Sequence, residues 1–162
     1  MPVTTPPADA EADAHAMRRA LRLARAAGRR GEVPIGAVVV YQGRVIAAAS
    51  NRVERSRDAS AHAELLALRQ AAARLQSWRL HGCTLYSTLE PCPMCAGALL
   101  LARIDEVVYG ADDPRKGAYR TVYDVLGNPS GNHHPVVRPG CEAESASALL
   151  QRFFRSLRDP GG

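Results

Sequence analysis

Short β-branched runs alternate with helix-period stretches along this chain, and that alternation limits its fold more than any other feature. Val33-Pro34-Ile35-Gly36-Ala37-Val38-Val39-Val40-Tyr41 is separated from Arg44-Val45-Ile46-Ala47-Ala48-Ala49 by Gln42-Gly43. Two such runs split by a two-residue turn containing glycine predict a β-hairpin. Cys83 to Leu89 and Ile104 to Tyr109 predict two further strands, and Val136-Val137 a last one. Helical spacing runs from about Asp9 to Gly28, where Met17, Leu21 and Ala24 oppose Arg18, Arg22, Arg25 and Arg29. It returns over Ala61 to Gln76, with Leu65, Leu68, Ala72 and Leu75 on one face, and over Pro93 to Ala102. Proline is well suited to the first helical position. Glu142 to Arg158 predicts a terminal helix whose Leu149, Leu150, Phe153, Phe154 and Leu157 pack on one side. Arg52 to Ser60 and Ala111 to Pro135 read as loops, the second with a short strand or helical turn near Thr121 to Leu126. Helices interleaved with strands predict one three-layer α/β domain around a mixed sheet.

Composition narrows the functional classes. The 162 residues, 46% of them apolar and 23% charged, suit one soluble domain rather than a disordered chain. No apolar run approaches the ~20 residues of a membrane-spanning helix. Met1 to Ala14 mixes Pro, Ala, Thr and acidic residues and has no apolar signal core, and four cysteines are too few for a disulfide scaffold. A cytoplasmic protein with reduced thiols is expected. The net charge is +5, and Lys116 is the only lysine among 21 basic residues. Such a surface suits a polyanion, but an arginine stripe is equally what a solvated helix face looks like.

The chemistry concentrates in His62-Ala63-Glu64 and Pro91-Cys92-Pro93-Met94-Cys95, each at the start of a predicted helix. Residues three apart share a helix face, so Cys92 and Cys95 can point at one centre. There is no second C-x-x-C and no histidine pair at finger spacing. His62, Cys92 and Cys95 therefore make a three-ligand set with an open fourth position, which is the pattern of a catalytic zinc. Two thiolates and a neutral imidazole cancel the charge of the ion. Glu64, two residues beyond His62, then lies beside an activated water as its proton acceptor and donor. Read separately, the histidine is a capping residue and the C-x-x-C a thiol–disulfide motif. Cys83 and Cys141 read as small buried hydrophobes. H-x-E followed by P-C-x-x-C in one chain is the zinc-deaminase signature.

At this point the chain resembles the bacterial tRNA-specific adenosine deaminases of the cytidine-deaminase-like superfamily. The likeness also includes Glu32 to Val38, Asn51-Arg52, Leu68-Arg69-Gln70, Leu85-Tyr86, Thr88-Leu89-Glu90, Ala96-Gly97-Ala98, Val108 to Ala111, Asp124-Val125-Leu126, Asn132-His133 and Phe153-Phe154-Arg155. It runs from about Ala14 to Arg158. It thus implies a disordered N-terminal tail over 1–13 and a single cytidine/deoxycytidylate-deaminase-type domain over 14–158. The implied fold is a three-layer α/β/α cytidine-deaminase-like fold with a mixed five-stranded sheet. The implied reaction converts adenosine to inosine at the wobble position of a tRNA anticodon loop, with one Zn2+ per subunit. Activated water would attack C6 while Glu64 protonates N1 and helps ammonia leave.

The resemblance also implies roles for other residues. Asn51 would bond the purine, the Ala63 backbone N–H would face the incoming oxygen, and Asp113 would lie by the neighbouring nucleotide. Asn132 belongs to the same substrate-binding set. Phe153 and Phe154, with Arg152, Arg155 and Arg158, match a terminal helix contacting the anticodon stem-loop. A homodimer is implied. One stretch departs from the family pattern: Gly117-Ala118 is followed by Tyr119-Arg120-Thr121, where either the bulky Tyr119 and Arg120 reshape the rim of the substrate pocket or Arg120 takes a phosphate. The competing expectations are a zinc deaminase of a free base or nucleoside of guanine, cytosine or adenine type, and a zinc-stabilised or thiol-redox module without this activity.

Overall fold

The computed structural model describes residues 10–159. Its elements in chain order are α1 (Ala10–Arg29), β1 (Gly36–Tyr41), β2 (Arg44–Ser50), α2 (Val53–Ser56), α3 (Ala63–Leu75), β3 (Cys83–Leu89), α4 (Pro93–Leu101), β4 (Glu106–Ala111), β5 (Val136–Arg138) and α5 (Ala143–Arg158). Of the tail expected over 1–13, residues 1–9 lie outside the described residues. The remainder is the first turn of α1, tied down through Asp13, so that boundary falls inside a helix. The five strands form one sheet in the order β2-β1-β3-β4-β5. Antiparallel pairing joins β2, β1 and β3, and parallel pairing joins β3, β4 and β5, which is the mixed sheet expected.

Alternation along the strands sends side chains to two cores. Ala37, Val39, Leu85 and Val107 face α3 and α4, where they meet Ala63, Ala67, Leu68, Ala96 and Leu99. Val38, Tyr86 and Val108 face the other layer, against Met17, Ala20 and Leu21 of α1 and Ala146 of α5. At the hairpin, Gln42 and Gly43 both have positive φ, as the type I′ turn favoured by the strand twist requires. Gly36 is demanded by space instead: a Cβ there would lie 2.0 Å from the Ala20 carbonyl oxygen, so α1 crosses the start of β1 in near contact.

Two sequence expectations fail locally. The stretch after Asn51 carries the short helix α2 rather than an open loop, because the buried Glu32 carboxylate accepts the Glu54 and Arg55 amides at 2.9 Å each. A helix start is stabilised when its unpaired N–H groups find acceptors, and here the acceptor comes from 22 residues away. The terminal helix, in turn, buries its large residues only in part, Leu149 packing against the core beside α1. Ala146 is its buried residue, packed against Gly110, whereas Phe154 is 37% and Leu157 60% exposed. The apolar positions follow helical spacing, but the helix meets the sheet at its first half alone. The stretch Thr121 to Leu126 consists of turns and bends.

Candidate metal and active site

The parallel pair β3 and β4 sets the location of the site. Both strands end at the same edge of the sheet, Leu89 opposite Ala111, and α4 starts immediately beyond β3. Cys92 is the N-cap of α4 and His62 the N-cap of α3, both with extended backbone. Asn51, next after β2, joins them because Arg52 donates its amide to the Ala61 carbonyl at 3.0 Å. Residues from four separate segments therefore meet where two helices begin, and the dipoles of those helices favour negative charge there.

His62 Nδ1 lies 3.6 Å from Cys92 Sγ and 3.5 Å from Cys95 Sγ. A tetrahedral zinc with Zn–N near 2.05 Å and Zn–S near 2.3 Å separates nitrogen from sulfur by about 3.6 Å, so the donor set has the spacing that zinc needs. The three donor atoms lie within 4.8 Å of one another, and theirs is the metal-binding group found among the described residues. Electrostatics match. The Cys92 thiol is pulled down to about 4 by hydrogen bonding from Cys95, with His62 adding to the effect. Cys95 moves the other way, raised by its interaction with Cys92 and by burial. A divalent cation displaces thiol protons, since the ligands bind it as thiolates. His62 is raised chiefly by its bond to Cys92, while the nearby Lys116 opposes the shift.

Glu64 completes the centre. Its side chain is only 3% exposed; Cys95 Sγ is 3.5 Å from Oε2, and Ser87 Oγ is 3.1 Å from Oε1. Burial pushes its carboxyl upward, outweighing the bonds that favour the anion. A carboxyl moved toward neutrality beside a metal site is suited to taking and returning a proton. Asn51 presents the other polar feature. Its Oδ1 is buried without a hydrogen-bond partner among the described residues. An orphaned buried acceptor costs on the order of 1–3 kcal/mol unless something donates to it, and a bound ligand is one such donor.

The comparisons with known proteins agree with this geometry. The sequence model of the MafB19-like deaminases matches residues 11–158. The tRNA-specific adenosine deaminase of Bacillus subtilis strain 168 is 46% identical over 142 residues, 88% of each chain. The chain belongs to the tRNA-specific adenosine deaminase family. A solved structure from work on A-to-I editing by tRNA:A34 deaminases superimposes with a TM-score of 0.81 at 46% identity, covering 84% of this chain and 99% of that one. The guanine deaminase of Nitrosomonas europaea shares the fold more distantly, at 29% identity and a TM-score of 0.76, covering 86% and 83%. The protein is a deaminase with the cytidine-deaminase-like α/β/α fold.

Other expected site residues are distributed unevenly in this deaminase. Ala63 is fully buried at the first position of α3, where its N–H lacks an acceptor within the helix. Asp113 follows β4 at the site edge, its carboxylate accepting the Arg115 amide at 2.9 Å. Arg120 is bonded within its own loop. Its Nε and Nη2 are both bonded to Asp112 at 3.1 Å, because the two sit across one loop. Asn132 is not at the site in this chain: it accepts a bond from Arg103, while His133 bonds the Ile104 carbonyl, at the far edge where β4 begins. Phe153 and Phe154 stack edge to face on α5, and Arg115 lies over the Phe154 ring at 6.0 Å. Ser87 and Glu90 were not singled out from sequence. Both are buried polar residues in or just after a strand, and only their partners distinguish them from ordinary polar residues.

Proposed function

We propose that this protein converts adenosine to inosine at the wobble position of a tRNA anticodon loop, with one zinc ion per subunit held by His62, Cys92 and Cys95. The observation that carries the reading is the juxtaposition of a zinc-spaced donor set with a buried, proton-favouring Glu64. Zinc held there would supply an activated water at neutral pH. Glu64 accepts a proton from the attacking water and delivers it to N1 of the purine. It then assists proton transfer to the departing amine. The C6–O bond forms, the C6–N bond breaks, and the products are inosine and ammonia. Asn51 Oδ1 accepts from the base, and the Ala63 N–H faces the new oxygen.

RNA is favoured over a free purine by the surroundings as well as by the named relatives. Arg25 and Arg29 of α1 and Arg152 and Phe153 of α5 line one groove, without an acidic residue in its wall. Guanidinium groups and an aromatic face suit the backbone and bases of an RNA loop. The deaminase-type domain is taken to span 14–158. No helix among the described residues is long and apolar enough to cross a membrane, and the reading carries a cytoplasmic location with it. A homodimer is part of the same reading. Met94, Ala98 and Leu101 share one face of α4, and Leu101 is 74% exposed, a surface suited to a second copy.

The test is incubation of zinc-loaded protein with a synthetic anticodon stem-loop bearing adenosine at the first anticodon position. Inosine at that base is expected, with binding that weakens steeply as salt rises. Deamination of guanine, cytosine or adenine without reaction of the stem-loop would replace this reading with the free-base one.

A further inference from the structure

Glu90 is 1% exposed and lies two residues before Cys92. Its oxygens are met by donors from one loop. Oε1 accepts the Asp113 amide at 3.0 Å. Oε2 accepts the consecutive Tyr119 and Arg120 amides at 2.9 and 3.1 Å. The Thr121 hydroxyl lies 3.0 and 3.1 Å from the two oxygens and 2.7 Å from the Asp113 carbonyl, so it closes the ring. Successive amides turned on one carboxylate form an anion-binding concavity, here filled from within the chain. Gly117 is the space that lets the loop close. A Cβ there would lie 2.3 Å from Glu90 Oε1 and 2.0 Å from Thr121 Oγ1. Backbone bonds tie the same two segments: Glu90 N–H to the Ala111 carbonyl at 2.8 Å and Ala118 N–H to the Pro91 carbonyl at 2.9 Å.

We infer that Glu90 is a positioning residue that shapes the substrate pocket by holding the 112–121 loop, and Asp113 with it, against the metal-binding turn. It touches neither the metal donors nor the reacting atoms. Its action passes through the loop, so it governs how well substrate is held rather than how fast the held substrate reacts. The stretch Tyr119-Arg120-Thr121, where this chain departs from the family pattern, is thereby put to use: two of its amides and its hydroxyl are the donors Glu90 requires. The inference rests on the reading of the site as a deaminase of an RNA loop.

The experiment is Glu90→Gln in the zinc-loaded full chain. The amide keeps the shape but turns an NH2 group toward amides that need an acceptor. The expected result is a rise of about tenfold in KM for the anticodon stem-loop, with kcat within about threefold of the parent and zinc still at one per chain. Amide hydrogen exchange at Tyr119 and Arg120 in ligand-free protein should accelerate, while α3 and α4 stay protected. A purely structural role would lower the folded fraction, and with it kcat, at constant KM; that outcome, or unchanged exchange at the two amides, overturns the inference. Thr121→Val removes one donor and leaves Glu90 in place, so it serves if Glu90→Gln does not fold. A KM rise of about threefold is expected, and an unchanged KM overturns the inference. Should the parent enzyme leave the stem-loop unmodified, the substrate reading fails, while the exchange measurement still reports on the loop.

Discussion

Two buried carboxylates flank the metal-binding turn, and their surroundings are opposite. Glu64 has one hydroxyl, one thiol and its own backbone amide near its oxygens. Glu90 has three backbone amides and a hydroxyl. Both are almost wholly removed from water. Burial disfavours the charged form of a carboxyl, and hydrogen-bond donors restore it. At Glu64 burial prevails and the carboxyl is left ready to exchange a proton, whereas Glu90 is tied to one loop by the amides it accepts. The same side chain thus serves chemistry at one position and architecture at another, and what surrounds it decides which.

The largest expected effect tests the reactive side. Glu64→Gln should lower kcat for inosine formation by about 10²–10⁴-fold, the range for loss of a general acid–base, with zinc content and melting temperature retained. An equal loss of kcat in Glu90→Gln would erase the distinction between the two carboxylates. Next in size is metal removal. A ligand present at 1,000 times its Kd stabilises by about 4 kcal/mol, so a chelator should lower the melting temperature by roughly 10 °C. Glu64→Gln and Glu90→Gln should both retain that response, because neither side chain is a metal donor, whereas Cys95→Ser should lose it. Calorimetry with and without chelator reads all three.

The smallest effect concerns a third carboxylate, on the far face of the sheet. Asp13 receives Arg138, which also bonds Glu106 at 2.9 Å, and Tyr86 at 2.6 Å. Burial pushes its carboxyl up, but the bonds from Arg138 and Tyr86 outweigh that and hold it below its ordinary 3.8. A depressed carboxyl stabilises the fold above its unfolded value and loses that contribution as pH falls through its folded one. Asp13→Asn should therefore cost about 1 kcal/mol at pH 7, and the difference from the parent should close below pH 4. Urea unfolding across pH 3–7 measures it. A constant difference over that range would show that the ion pair is not the source.

Much of this was readable from residue order. The hairpin at Gln42-Gly43, the start of α4 at Pro93 and the Cys92/Cys95 spacing all depend on neighbours within a turn or two of backbone, whereas His62 reaches the Cys92 sulfur from 30 residues away. Contacts from distant segments were not readable. Glu32 caps α2 from 22 residues away. Asn132 stands in a block shared with the family, yet in this chain it bonds Arg103 at the edge away from the metal donors. Phe153, Phe154 and Leu157 have the spacing of a buried face, but nothing in that spacing says how far α5 overlaps the sheet. Glu90 lay in a matched motif with no signal of its role, because its partners are amides, and every residue except proline supplies one.

The order of residues by itself determined the longer helices, the strands and the spacing of Cys92 and Cys95, since helical and strand periods and C-x-x-C spacing are local geometry. Tertiary structure alone decided which polar groups came to rest beside those sulfurs. Strand order and register bring the ends of β3 and β4 to one edge, where burial raises the Glu64 carboxyl and Glu90 gathers the amides of the 112–121 loop.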